Sequence, residues 1–116
     1  MKLLAVLAVA LALAAPAAAS SWHRVHVWTG HDISLTANRK LPAGTWRLVY
    51  SAKNPKTQMH VRLNCKNGPE AGNYKVTARP KTLTFRSSGC KMHVLMLGNV
   101  TLKASGMFMR LELDRR

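Results

Sequence analysis

Acidic residues are scarce in this chain. Its 116 residues include four, Asp32, Glu70, Glu112 and Asp114, against 18 Lys plus Arg, for a formal net charge of +14. So few carboxylates leave little for general acid–base catalysis or for ligation of hard cations, which take oxygen donors. Glu112 and Asp114 share a strand face by parity, but they stand among Arg110, Arg115 and Arg116 and read as solvated ion-pair partners. No Gly-rich phosphate loop precedes a helix, and no Ser or Cys lies in a motif that would activate it as a nucleophile. Enzymatic activity is not expected, and no cofactor is implied.

Cysteine is also sparse. The two present, Cys65 and Cys90, suit a single disulfide in an exported chain. Closing a loop of about 25 residues would stabilise the fold by roughly 3.5 kcal/mol through loss of chain entropy in the unfolded state. Free thiols and intermolecular pairing are the alternatives.

Long apolar runs are absent after the first residues. Lys2, the run Leu3 to Ala15, Pro16 and the small residues Ala17-Ala18-Ala19 have the organisation of a secretory signal peptide covering 1–19. That run is shorter than the roughly 20 residues a membrane span needs. Export as a secreted protein, extracellular or periplasmic, is therefore expected. Residues 20–116 then form one compact domain.

Helical periodicity is missing as well. Period-two alternation runs through most of the chain, most clearly in Thr57 to Cys65, where Met59, Val61, Leu63 and Cys65 fall on one face and Gln58, His60, Arg62 and Asn64 on the other. Further strands are expected at Trp22 to Thr29, Ile33 to Ala37, Thr45 to Ala52, Tyr74 to Ala78, Leu83 to Phe85, Cys90 to Leu97, Val100 to Leu102 and Met107 to Leu113. Asn38-Arg39-Lys40 and Lys66 to Asn73 read as turns, the second as the longest loop, being dense in Gly, Asn and Pro. Leu95, Met96 and Leu97 interrupt alternation and predict a strand buried on both faces. Met92, Met96, Met107 and Met109 read as flexible core filling. About eight or nine short strands with turn signals every eight to twelve residues predict an all-β fold, a small antiparallel β-sandwich of jelly-roll type with one disulfide. A closed barrel is the second choice.

The charge that is present then becomes the main functional clue. A domain this basic attracts polyanions whatever its fold. By parity Trp22, Arg24, His26 and Trp28 share one face, where indoles could stack on sugar rings or bases while the cations meet an anionic group. Arg47, His60, Arg62, Lys75, Arg79 and Arg86 are outward positions of other strands, and would extend a cationic surface if several belong to one sheet. The expected function is a secreted, non-catalytic binding module for an anionic glycan, cell-wall polymer or lipid head group, with a role in host defence or attachment. Its alternatives are a membrane-active antimicrobial protein and a structural or inhibitory protein-binding domain. Nucleic acid would be bound through charge only.

Five histidines raise the question of metal. His23 and His26, three apart on a strand, fall on opposite faces, and His60 and His93 could meet only in neighbouring strands. Cleavage after Ser20 would leave Ser21-Trp22-His23 as a nitrogen set suited to Cu(II), but the preferred cleavage after Ala19 spoils that spacing. No metal site is expected. Asn99-Val100-Thr101 is a glycosylation acceptor if the source is eukaryotic.

Overall fold

The computed structural model describes residues 21–31, 33–53, 56–98 and 108–116. The signal segment, Asp32, the Val100–Leu102 strand, Met107 and the acceptor Asn99 lie outside the described residues. The described residues form eight strands: β1 (His23–Gly30), β2 (Ser34–Leu41), β3 (Gly44–Ala52), β4 (Thr57–Cys65), β5 (Gly68–Val76), β6 (Lys81–Ser87), β7 (Cys90–Leu97) and β8 (Met109–Arg115). They form two four-stranded sheets in the orders β1-β8-β3-β6 and β2-β7-β4-β5, with every pairing antiparallel. Consecutive strands thus often sit in opposite sheets, and this order is that of a jelly roll.

Alternation dictates what each sheet buries. One sheet contributes Trp46, Leu48, Tyr50, Met109, Leu111 and Leu113 to the space between the layers. The other contributes Ala37, Leu41, Met59, Val61, Leu63, Val76, Met92, Val94 and Met96. Met92, Met96 and Met109 are buried, as core filling requires. At the edge of the core Cys65 and Cys90 form the disulfide, 25 residues apart in sequence. It joins the end of β4 to the start of β7, which neighbour each other in one sheet. The cross-link therefore fixes register within a sheet, and the loop it closes includes β5 and also β6 of the other sheet.

Four expectations need correction. The stretch 66–73 is mostly strand: Lys66-Asn67 alone turn the chain, Gly68 takes φ +118°, and β5 pairs with β4 from Gly68 onward. β5 is an edge strand, where Pro69 and Gly72 are tolerated because one side of the ladder is free. Likewise β2 runs on through Asn38-Arg39-Lys40, paired to β7 up to Leu41. β7 is not buried on both faces. Its alternation is unbroken, with Val94 and Met96 inside and Leu95 and Leu97 about two-fifths exposed, because none of the described residues covers the outer face of its sheet.

The fourth correction concerns β1. Its register with β8 slips between Arg24 and His26, a bulge at Val25. Arg24 lies opposite Asp114 on the outer face, whereas His26 and Trp28 lie opposite Leu113 and Leu111 on the other side, Trp28 packed against the core and His26 exposed at the sheet edge. The four residues read as one face are divided between two. The same slip sets His23 and His26 opposite Arg115 and Leu113, positions of one parity, so these histidines share a side instead of opposing each other.

Candidate functional site

The outer faces of the two sheets differ in charge. On the β1-β8-β3-β6 sheet, Asp114 lies between Arg24 and Arg47 in the ladder, and Glu112 lies between Val27 and Val49. Arg47 donates to Asp114 Oδ2 from Nε (3.0 Å) and from Nη2 (2.6 Å). Glu112 pairs with Arg110 at 2.9 Å and Arg24 at 3.5 Å. Trp22 covers this cluster, with the Arg47 guanidinium 4.5 Å and the Arg116 guanidinium 5.3 Å from its ring. Asp114 is only 1% exposed and its Oδ1 has no hydrogen-bond partner, so it is not the solvated acid expected from its place near the C-terminus. Burial pushes its pKa above the usual range, opposed by Arg47 and reinforced by Glu112. For Glu112 burial also pushes upward, but the hydrogen bonds with Asp114 and Arg110 outweigh it and the net shift is downward. The arginines of this face are largely occupied by their own carboxylates.

The β2-β7-β4-β5 sheet is different. Its register sets out the outer face as rows running across the strands. The first holds Lys40, Lys91, Asn64 and Pro69; the second Asn38, His93, Arg62 and Ala71. The third holds Thr36, Leu95, His60 and Asn73; the fourth Ser34, Leu97, Gln58 and Lys75. None of these positions is acidic. Glu70 lies in β5 opposite Leu63, which faces the core, and so falls on the other side of its strand. Among the described residues, four permanent cations and two histidines thus share one face with no carboxylate.

That face is hollowed. A depression of about 570 Å³ is lined by Thr36, His60, Arg62, Asn64, His93, Val94 and Leu95. A second, of about 510 Å³, opens at the disulfide end, lined by Lys40, Leu41, Pro42, Asn64, Cys65, Lys66, Gly89, Cys90 and Lys91. Asn64 lines both, so the two adjoin at that residue. The His60 ring is oriented by its neighbour in β5: Nδ1 donates to Asn73 Oδ1, leaving Nε2 for other contacts. Neither Glu112 nor Asp114 lines either hollow.

Of the residues selected from sequence, His60, Arg62 and Lys75 come together here. Trp22, Arg24, Arg47 and Arg86 belong to the outer side of the other sheet, Arg79 to the exposed connection before β6, and His26 and Trp28 to the opposite side of β1. None of the three tryptophans is on the cationic face; Trp46 is buried, donating from Nε1 to the Pro42 carbonyl. Sequence reasoning missed Lys40, Lys91 and His93. Lys91 and His93 were readable as polar positions of β7, whereas Lys40 was hidden in a segment taken for a turn. Among the described residues no three of His, Cys, Asp and Glu lie close enough together to hold a metal ion.

No protein-family model matches the chain, and no curated protein matches it. Among solved structures, that of TmCBM61, a carbohydrate-binding module in complex with β-1,4-galactotriose, aligns with a TM-score of 0.47 at 15% identity. The alignment covers 84% of this chain and 90% of that one.

Proposed function

We propose that this protein is a secreted, non-catalytic binding module whose outer β2-β7-β4-β5 face engages an anionic glycan or cell-surface polymer. The observation that carries the reading is the sorting of charge: Lys40, Arg62, Lys75, Lys91, His60 and His93 share a hollowed face without an acid among the described residues, while both acids of β8 are placed on the opposite sheet. A concave surface lined by one sign of charge concentrates its field on an incoming polyanion. Stacking between aromatic rings, which single-stranded nucleic acid would use, has no counterpart on this face. Asn38, Asn64, Asn73 and Thr36 supply hydrogen-bonding groups suited to hydroxyl-rich sugars. Removal of residues 1–19 on export accords with a disulfide, which persists in oxidising compartments.

The test is retention on an immobilised sulfated polysaccharide as salt is raised. Arg62→Gln and Lys91→Gln should each elute earlier and lower the slope of log K against log salt by about one. Arg24→Gln and Arg86→Gln, equal changes in net charge on the other sheet, should elute close to the parent. If all four variants shift alike, net charge alone governs retention and the face has no special role.

A second reading is favoured by one observation on the same face. Leu95 and Leu97 are exposed aliphatic side chains on that face, 38% and 40% accessible. Aliphatic side chains beside cations suit an anionic membrane surface. Dye leakage from anionic vesicles, abolished by Leu95→Ser with Leu97→Ser, would support that reading over the first.

A further inference from the structure

The hollow at the disulfide end differs in chemistry from the rest of the cationic face. Its charged groups are all lysines, Lys40, Lys66 and Lys91, and its apolar lining is the exposed Pro42 and the half-buried Cys65, with Leu41 and Cys90 buried beneath them. Lys40 and Lys91 are direct cross-strand partners. Like charges so placed repel and weaken a sheet, and no carboxylate lines the hollow to relieve them. An anion seated between them would.

The segments bearing these lysines are pinned together. Ser87 Oγ donates to the Leu41 carbonyl at 2.8 Å and accepts from Gly89 N at 3.1 Å and Cys90 N at 3.0 Å, tying the β6–β7 turn to the end of β2. Ser88 Oγ donates to Asn67 Oδ1 at 3.1 Å, joining that turn to the β4–β5 turn. The disulfide makes the third link. The stem of Lys66 then lies across Gly89, whose φ is +104°: a Cβ there would come 3.3 Å from Lys66 Cε. Three ammonium-bearing segments are thus held around one opening before any ligand arrives, which reduces the ordering that binding must pay.

Ammonium groups act as compact point charges, whereas planar carboxylates are matched by the fork of a guanidinium. The only guanidinium lining either hollow is Arg62, in the neighbouring depression. We infer that the lysine bay is the seat of a tetrahedral oxyanion, a phosphate or sulfate ester carried by an acidic glycan, with the carbon face of the sugar on the exposed ring of Pro42. This rests on the outer face being the glycan-binding surface, and it divides that surface: ester at the disulfide end, carboxylates and hydroxyls along Arg62, His60 and Asn73.

The experiment is an amide-resolved NMR titration of the intact, oxidised protein with two probes, inorganic phosphate and a sulfated oligosaccharide set beside its desulfated, carboxylated counterpart. Phosphate should shift the amides of Asn64, Lys66, Gly89, Cys90 and Lys91 saturably, and leave those of Thr84 and Arg86 in place. Lys40→Gln/Lys91→Gln should abolish these shifts and the preference for the sulfated chain. Arg62→Gln should weaken both oligosaccharides alike and spare the phosphate shifts. Phosphate shifts spread evenly over both sheets, or a sulfate preference that survives in Lys40→Gln/Lys91→Gln, would overturn the bay while leaving the wider face standing. Saturable phosphate shifts in the bay without outer-face shifts from either oligosaccharide would sink the glycan reading instead. Co-sedimentation with phosphatidic acid vesicles, lost in Lys40→Gln/Lys91→Gln, would in that case assign the ester to a lipid and overturn the glycan assignment.

Discussion

Replacing Arg47 by Met should destabilise the fold far more than a half-exposed arginine would ordinarily suggest. The methionine keeps an aliphatic stem beneath Trp22 and removes only the guanidinium. Asp114 is then left 1% exposed with no cation on either carboxylate oxygen and only the acidic Glu112 beside it. Breaking a buried pair from one side costs about 3–5 kcal/mol. The Arg47 side chain is 27% exposed against 2% for Asp114, so water can partly take its place, and we expect about 2–3 kcal/mol at pH 7. In a domain of this size that is a fall in Tm of roughly 10–20 °C.

The loss should depend on pH in a definite sense. Because burial raises the Asp114 pKa, the native state holds that proton more tightly than the unfolded chain. Its favourable contribution is complete below the ordinary carboxylate range and is lost as pH rises through the raised native value. Arg47 opposes this shift, so its removal raises the native value further, and the variant's deficit grows with pH and closes in acid. Glu112, whose pKa is lowered, contributes the opposite way: its stabilisation is present above the unfolded value and is lost as pH falls through the native one. Thermal unfolding followed by circular dichroism at pH 7 and pH 4 measures the difference. Adding Asp114→Asn to the Arg47→Met variant should restore most of the loss at pH 7. A deficit below about 1 kcal/mol that is equal at both pH values, or no rescue by Asp114→Asn, would show that this pair behaves as an ordinary surface contact and refute the reasoning.

Removing the disulfide with Cys65→Ala/Cys90→Ala should cost about 3.5 kcal/mol from loop closure, read as a lower midpoint in urea with the parent as reference. Leu97→Thr, on the uncovered outer face, should change stability by no more than about 0.5 kcal/mol, whereas Met96→Ala one residue earlier should cost about 2–5 kcal/mol; similar losses at both would mean that β7 is buried on both faces after all. Gly89→Ala forces a side chain into φ +104° and against the Lys66 stem, so a loss of about 1–3 kcal/mol in urea unfolding is expected.

The strand pattern was legible wherever inward and outward positions differ in polarity. β4 is the clearest case, since its inward residues are apolar or Thr and its outward ones polar throughout. β7 misled because an apolar residue facing water and one facing a second layer give the same letter, and only the absence of a covering layer separates Leu95 from Met96. β5 misled for a different reason: Pro69, Gly72 and Asn73 favour turns in isolation, yet an edge strand needs only half of its ladder. The bulge at Val25 could not be read at all, because β1 takes its register from β8, which lies at the other end of the chain. That is also why the Trp22–Trp28 face dissolved. The Asp114–Arg47 pair spans 67 residues and joins two strands whose adjacency comes only from the jelly-roll order.

The same long-range order explains why the charge of the whole chain was informative in sign and uninformative in place. Arg47 and Arg62 look alike along the sequence, each an outward cation in an alternating strand. One is placed beside β8, where it is consumed by a buried carboxylate; the other is placed between β5 and β7, where its cross-strand neighbours are Ala71 and His93. Every acid in β8 lowers the field on its own sheet and leaves the other untouched, since fields of exposed charges fall away within about 8–10 Å at ordinary salt. The two sheets also face each other across a core about 10 Å thick. Net charge therefore sets whether a polyanion is attracted, and strand order sets where it lands. Moving a carboxylate onto the cationic face, for instance by Thr36→Glu beside Leu95 and in the same cross-strand row as His60, changes the net charge by one unit, as Arg86→Gln does on the other sheet. If the faces act independently, the first should reduce polyanion retention markedly and the second hardly at all.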